Sequence, residues 1–241
     1  MKNWFDSWFD TKYYHILYKN RDYSEAENFI TNLTTDLEIN TNKSILDLAC
    51  GKGRHSIFLN KLGYTTTGVD LSKASIEHAS QFTNTTLNFF VHDMREKIQT
   101  KSFDYVFNLF TSIGYFEDDL DNLKMLSSID SYTNKDGVLV IDFMNAHKVI
   151  THLVLDEVKI IDGLTFNINR KLENGFIIKT ISFTDNDQNF EFQEKVQALK
   201  LKDFENYLKE TNFSIYKVAG DYNLGNFDIE KSNRLIIFAK K

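Results

Sequence analysis

Ile45-Leu46-Asp47-Leu48-Ala49-Cys50-Gly51-Lys52-Gly53, followed nineteen residues beyond Gly51 by Asp70 in Gly68-Val69-Asp70-Leu71-Ser72, decides the fold. The first stretch is an apolar run of strand length that ends on a glycine turn and opens a helix. Glycine there lets the backbone approach a ligand closely, and the helix N-terminus offers free N–H groups suited to a carboxylate or phosphate. The dinucleotide pattern G-x-G-x-x-G is only partly met, because Ser56 stands at the third position. Asp47, just before the turn, puts an anion where a pyrophosphate would sit, which favours a ligand with an amino group or a net positive charge. Asp70 falls at the tip of a second strand, placed to accept both hydroxyls of a ribose. Its plainer role is to support the helix that Ser72 caps.

Outward from this pair, strand and helix alternate. Ser24 and Glu27 form a capping-box pattern ahead of Ala26, Phe29, Ile30, Leu33 and Leu37 at helical spacing. Residues 54–62 read as a helix with Gly63 as its C-cap, Tyr64–Val69 as a strand, and Ser72 caps a helix carrying Ile76, Ala79 and Phe82. Leu87–Val91, Phe103–Phe110 and Val138–Phe143 are strands, with a helix over Asp118–Ile129 before the last. The alternation argues a parallel sheet covered on both faces. From about Glu157 the texture changes. Leu164, Phe166, Ile168 and Leu172 alternate with polar residues, Asn174-Gly175 is a hairpin turn, and Phe176–Phe183 and Phe190–Leu199 are strand-like. Residues 202–211 read as a helix, then Phe213–Val218 and Arg234–Ala239 close the sheet. The fold class is α/β: a Rossmann-like, doubly wound, mostly parallel seven-stranded sheet with an antiparallel insertion before its last helix.

The 241 residues carry 28 basic and 34 acidic side chains, a net charge of −6, with no basic tail. A phosphate-backbone binder needs a basic face, so nucleic acid is not an expected partner. One cysteine excludes an intramolecular disulfide and a multi-thiolate zinc site, and no metal is expected. There is no proline, which closes every motif built on an X-Pro step. The N-terminal Trp4, Phe5, Trp8, Phe9, Tyr13, Tyr14 and Tyr18 are interleaved with charges, unlike a signal peptide, and no stretch has the apolar length of a membrane span. A cytoplasmic protein is expected. With no repeats or linkers, one domain over 1–241 is expected: an aromatic segment over 1–23, a core over 24–150, inserted strands over 155–200 and closing elements over 201–241.

Two further sites stand at strand ends: His92-Asp93-Met94, and Asn108-Leu109-Phe110-Thr111-Ser112-Ile113-Gly114-Tyr115. Taken with the first two, they resemble the class I S-adenosylmethionine (SAM)-dependent methyltransferases over about residues 22–145. Ile45–Gly53 is similar to the family's first motif, Gly68–Ser72 to the second, Asp93-Met94 to the adenine-contacting step, Asn108–Tyr115 to the fourth, and Asp136-Gly137-Val138-Leu139 to the turn into the fifth strand. The sequence H-D-M-R followed by T-S-I-G-Y, with the late antiparallel insertion, resembles small-molecule N-methyltransferases of the glycine and nucleotide-sugar amine types. The resemblance implies SAM as cofactor. Asp47, Ala49, Gly51 and Gly53 would surround its methionine part, and Asp70 would hold the ribose. Leu71 and Met94 would sandwich adenine, and Asp93 would take its amine. Asn108 would lie at the fourth motif, Arg21 near the cofactor carboxylate, and Tyr14 and Tyr18 in a lid. Ala49 departs from the glycine of many relatives. The missing Asn-Pro-Pro-aromatic motif tells against amino-methylation of adenine or glutamine.

The expected function is methyl transfer to a small-molecule acceptor, with an amine favoured. The rivals are an NAD(P)-dependent oxidoreductase on a similar sheet and a non-catalytic SAM-binding module. Tyr14 and Tyr115 are the candidates for a catalytic group, with His15, His147 and His152 behind them; no base is assigned. The apolar face of the meander must bury against something. It is expected to close over the pocket, to pack a partner subunit as a homodimer, or both, with Tyr14, Tyr18 and Tyr115 lining the acceptor side. Removal of residues 1–20 is expected to weaken turnover far more than stability.

Overall fold

A computed structural model describes residues 8–19, 23–99 and 101–241. In chain order the elements are α1 (Lys12–Leu17), α2 (Tyr23–Asp36), β1 (Ser44–Leu48), α3 (Arg54–Lys61), β2 (Thr65–Asp70), α4 (Lys73–Ala79), β3 (Leu87–Val91) and β4 (Phe103–Asn108). There follow α5 (Asp119–Tyr132), β5 (Thr133–Met144), α6 (Ala146–Thr151), β6 (Asp156–Ile161), β7 (Leu164–Glu173), β8 (Phe176–Asp185), β9 (Gln188–Gln197), α7 (Leu201–Leu208), β10 (Ser214–Ala219) and β11 (Arg234–Lys240).

Seven strands form one sheet in the order β10-β11-β5-β4-β1-β2-β3, and β6 to β9 form a second. Pairing is parallel from β3 through β5, and β11 runs antiparallel to both its neighbours. Successive side chains of a strand point to opposite faces. Ile45, Phe107, Val140, Ile236 and Phe238 therefore pack under α2 with Phe29, Ile30 and Leu33. Leu46, Val106, Leu139, Ile141 and Ile237 pack on the other side against Met125, Leu126 and Ile129 of α5 and Phe204 and Leu208 of α7. Both faces are covered, which is why these strands read as continuous apolar runs.

The second sheet is a plain antiparallel meander. Its three hairpins turn on Asp162-Gly163, Asn174-Gly175 and Asn186-Asp187, each pair left-handed, as two-residue primed turns require. Its apolar face is covered by α1: Trp8, Tyr13 and Leu17 pack on Phe166, Ile168, Ile181 and Phe183. The cover expected for that face comes from the chain itself.

Several local expectations are corrected. Helix α2 starts at Tyr23, so Ser24 stands in the first turn and not at the N-cap. Phe82 lies in a 3₁₀ turn beyond α4 and is 46% exposed. Leu172 is also 46% exposed, because the apolar face ends where Arg170 of the same parity turns to Glu157. Strand β6 and helix α6 were not anticipated; β6 is an edge strand with Val158 and Ile160 outward, so it lacks the alternation of a half-buried strand. Strand β5 begins at Thr133, and Asp136 is a left-handed residue inside it.

Candidate active site

The strand order reverses between β1 and β4, and ligands of open α/β sheets bind outside the carboxyl ends of strands at such a point. A cavity of about 950 Å³ lies there. Its walls come from the turn Ala49-Cys50-Gly51, the β2 tip at Asp70-Leu71, the β3 tip at Asp93-Met94, and Leu109 to Phe116 after β4. Phe9, Tyr14, His15 and Tyr18 of the α1 segment form its remaining side.

The turn is held by contacts within the chain. Ala49 and Gly51 are left-handed, with φ of 62° and 56°, and a Cβ on Gly51 would meet nothing within 4 Å. The Gly51 N–H donates to Asp70 Oδ2 at 2.8 Å, and the Ser72 N–H donates to Oδ1 at 2.8 Å. Burial pushes the Asp70 carboxyl up, against the pull of those N–H groups. Each oxygen keeps capacity for a further donor, because an ionised carboxylate offers about four acceptor positions. At the β3 tip, burial would raise Asp93, but Arg95 outweighs it and holds the carboxyl below its ordinary range. Arg95 grips both Asp93 oxygens, at 2.6 Å for Nη2–Oδ2 and 3.0 Å for Nε–Oδ1, and also reaches Asp121 at 2.8 Å.

After β4 the chain makes an elbow. Phe110 and Thr111 are consecutive left-handed residues, at φ 60° and 62°. Such a conformation costs on the order of 1–3 kcal/mol per residue and persists only where the surroundings hold it. The Phe110 ring stacks on His55, with centroids 4.8 Å apart, and the Arg54 guanidinium lies 4.8 Å from the same ring. Burial, then the charge of Arg54, draws the His55 imidazole down to about 3, so it is neutral. His15 is also lowered, by burial and then by Lys52. In the segment before α1, the Phe9 ring lies 5.0 Å from Tyr14 and 5.7 Å from Tyr115, bridging α1 to the loop after β4.

Of the residues singled out in the sequence, Tyr14, Ala49, Gly51, Asp70, Leu71, Asp93, Met94 and Tyr115 meet on this one cavity. Three do not reach its wall. Asp47 is 1% exposed beneath the turn, where it accepts from Ser56 Oγ and burial pushes it up to about 6. Gly53 is a packing glycine: a Cβ there would fall 2.8 Å from the Phe89 ring. Asn108 ties β4 to β1 through Nδ2–H to Leu48 O at 3.1 Å, and its buried Oδ1 has no partner among the described residues. Arg21 lies outside the described residues. His147 pairs with Glu230, and His152 sits on the end of α6, both away from the cavity. Sequence reasoning missed His55, although it stands two residues beyond the first motif, because nothing in its spacing distinguishes a buried ring from a surface one.

Residues 45–137 match the family described as Methyltransferase domain. The chain is 24% identical over 214 residues to a provisionally named methyltransferase of Geobacillus sp. (strain WCH70), covering 83% of this chain and 85% of that protein. It shares its fold with the SAM-dependent methyltransferase of Clostridium acetobutylicum ATCC 824, at TM-score 0.80 and 22% identity over 95% of both chains. It also shares it with SAM-bound CalS10, an amino pentose methyltransferase of Micromonospora echinaspora, at TM-score 0.70 and 15% identity over 95% and 97% of the two chains. The open backbone at Gly51 and the buried carboxylate at the β2 tip suit a ribose-bearing cofactor with an amino-acid tail. The matched domain favours the methyltransferase reading over the nicotinamide one. Residues 45–137 thus match a methyltransferase domain, and the full-length relative and the shared fold are those of methyltransferases that use SAM.

Proposed function

We propose that this enzyme methylates a small-molecule amine. The carrying observation is Phe9, whose ring joins Tyr14 on the lid to Tyr115 on the loop after β4, all three lining one cavity. When bound, SAM supplies a methyl group on a positively charged sulfur. As that methyl passes to nitrogen, positive charge passes with it, and aromatic faces stabilise a cation by about 0.5–2 kcal/mol. A neutral amine needs no base, whereas a hydroxyl needs one beside the methyl. The cavity histidines fit the first case, since burial lowers the proton affinity of both and makes them weaker bases than a free imidazole.

In this reading Asp70 receives the ribose hydroxyls, Leu71 and Met94 flank the adenine, and Asp93 stands at its amine. The Ala49–Gly51 turn and the elbow after β4 take the methionine part. The shared fold with an amino pentose methyltransferase supports an amine on a polar ring as the acceptor. Release of S-adenosylhomocysteine over a panel of amines and amino sugars, each paired with its hydroxyl analogue, tests it. Turnover of amines alone is expected; turnover confined to the hydroxyl partners would overturn it.

A further inference from the structure

The elbow after β4 is stapled from behind. Asp142 of β5 is fully buried, and its Oδ2 accepts the Phe110 N–H at 2.9 Å while its backbone oxygen accepts the Thr111 N–H at 2.9 Å. Arg234 of β11 donates from Nε to Asp142 Oδ1 at 2.7 Å and from Nη2 to Thr111 Oγ1 at 3.0 Å. The Tyr222 hydroxyl donates to Asp142 Oδ2 at 3.3 Å, and its ring lies 5.3 Å from Phe110 and 5.5 Å from the Arg234 guanidinium. None of these three side chains lines the cavity, whereas Phe110 and Ser112 do.

Burying both charges of an ion pair is expensive, and an apolar pair of similar volume often serves stability as well or better. Here the pair does something an apolar pair cannot: Asp142 Oδ2 occupies the Phe110 N–H and Arg234 the Thr111 hydroxyl, on two residues in a conformation they would otherwise leave. We infer that Asp142 and Arg234, with Tyr222, are positioning residues that fix the Phe110–Thr111 elbow as the wall for the methionine end of the cofactor. The direction follows from strand order. With the ribose on the β2 tip and the adenine toward β3, the remaining part of the cofactor runs over β1 toward β4. The inference rests on the ribose placement proposed above and is independent of the acceptor.

Calorimetry on the full chain with two probes tests it. S-adenosylhomocysteine carries the amino-acid tail, and 5′-methylthioadenosine lacks it. Arg234→Lys keeps the charge but loses the planar fork that serves Asp142 and Thr111 together. In Arg234→Lys and Asp142→Asn, affinity for S-adenosylhomocysteine should fall at least tenfold while that for 5′-methylthioadenosine stays within threefold. Adding Thr111→Gly to Arg234→Lys should recover most of the loss, since glycine holds a positive φ unaided. Should Asp142→Asn fail to fold, the Arg234→Lys pair alone decides. Unchanged affinity for both probes, a parallel loss of both, or no recovery by glycine would overturn the inference. Asp70→Ala separates the underlying reading: if it leaves 5′-methylthioadenosine binding unchanged, the ribose placement has failed. If that binding is lost yet Arg234→Lys shows no split between the probes, only the staple has failed.

Discussion

The Gly51 N–H donates to the Asp70 carboxylate at 2.8 Å, joining the two motifs that lie nineteen residues apart in the chain. Strands β1 and β2 pair in parallel with Asp47 opposite Gly68 and Leu48 opposite Val69, so their ends come level and the turn meets the tip. The carboxylate is held by two backbone donors, and a side chain fixed in this way loses little freedom on binding.

His55 gives a pH signature. Its folded-state value of about 3 lies below the ordinary 6.5. Below pH 6.5 the unfolded chain takes up a proton that the folded chain refuses, so stability is intact above 6.5 and is lost as pH falls toward 3. From pH 7 to 5 the loss is about 2 kcal/mol. Asp47 acts in the opposite sense: its raised value favours the folded state as pH falls from 6 toward 4. Denaturant unfolding of wild type and His55→Gln at both pH values isolates the first effect: the wild type should lose more stability on acidification than the variant.

The two glycines of the turn should respond differently. Gly53→Ala puts a Cβ 2.8 Å from Phe89 and 3.1 Å from Ala79 Cβ, at φ 82°. Overpacking of about 1–3 kcal/mol adds to a left-handed penalty of about 1–2 kcal/mol. Gly51→Ala bears only the second penalty, about 1–2 kcal/mol, but projects a methyl into the cavity. Melting curves should rank Gly53→Ala as the less stable protein. Calorimetry should find Gly51→Ala folded yet weakened in S-adenosylhomocysteine binding.

The α1 segment is fastened to the meander by Glu194, which accepts from Trp8 Nε1 at 2.8 Å and from the Tyr18 hydroxyl at 2.6 Å, and pairs with Lys179 at 3.4 Å. Glu194→Ala removes the acceptor of the Trp8 indole and the charge partner of Lys179 in a half-buried place, a cost of about 1–3 kcal/mol. A lowered melting temperature with S-adenosylhomocysteine affinity within threefold of wild type is the expected outcome. Because α1 covers Phe166, Ile168, Ile181 and Phe183, deletion of residues 1–20 should cost stability as well as turnover, contrary to the reading of that segment from sequence alone.

The sheet was legible because both faces are buried: apolar runs such as Ile45–Leu48 and Val138–Phe143, separated by capped helices, have few other solutions. Asp70 and Gly51 were legible because strand ends and glycine turns announce themselves locally. Asp142 and Arg234 were not, since each sits in an apolar strand and their meeting depends on β11 pairing with β5 ninety residues later. Asp47 and Gly53 were read as cofactor contacts, but a sequence motif does not separate residues that touch a ligand from those that support the turn from below.

Calorimetric titration of S-adenosylhomocysteine into wild type and Asp70→Ala tests the central claim most directly, with the melting temperature of each protein measured alongside. Loss of charge-assisted hydrogen bonds worth about 1.5–3 kcal/mol each predicts an affinity at least tenfold weaker in a variant that still folds. Equal affinity in the two proteins, or no binding by the wild type, would contradict the account.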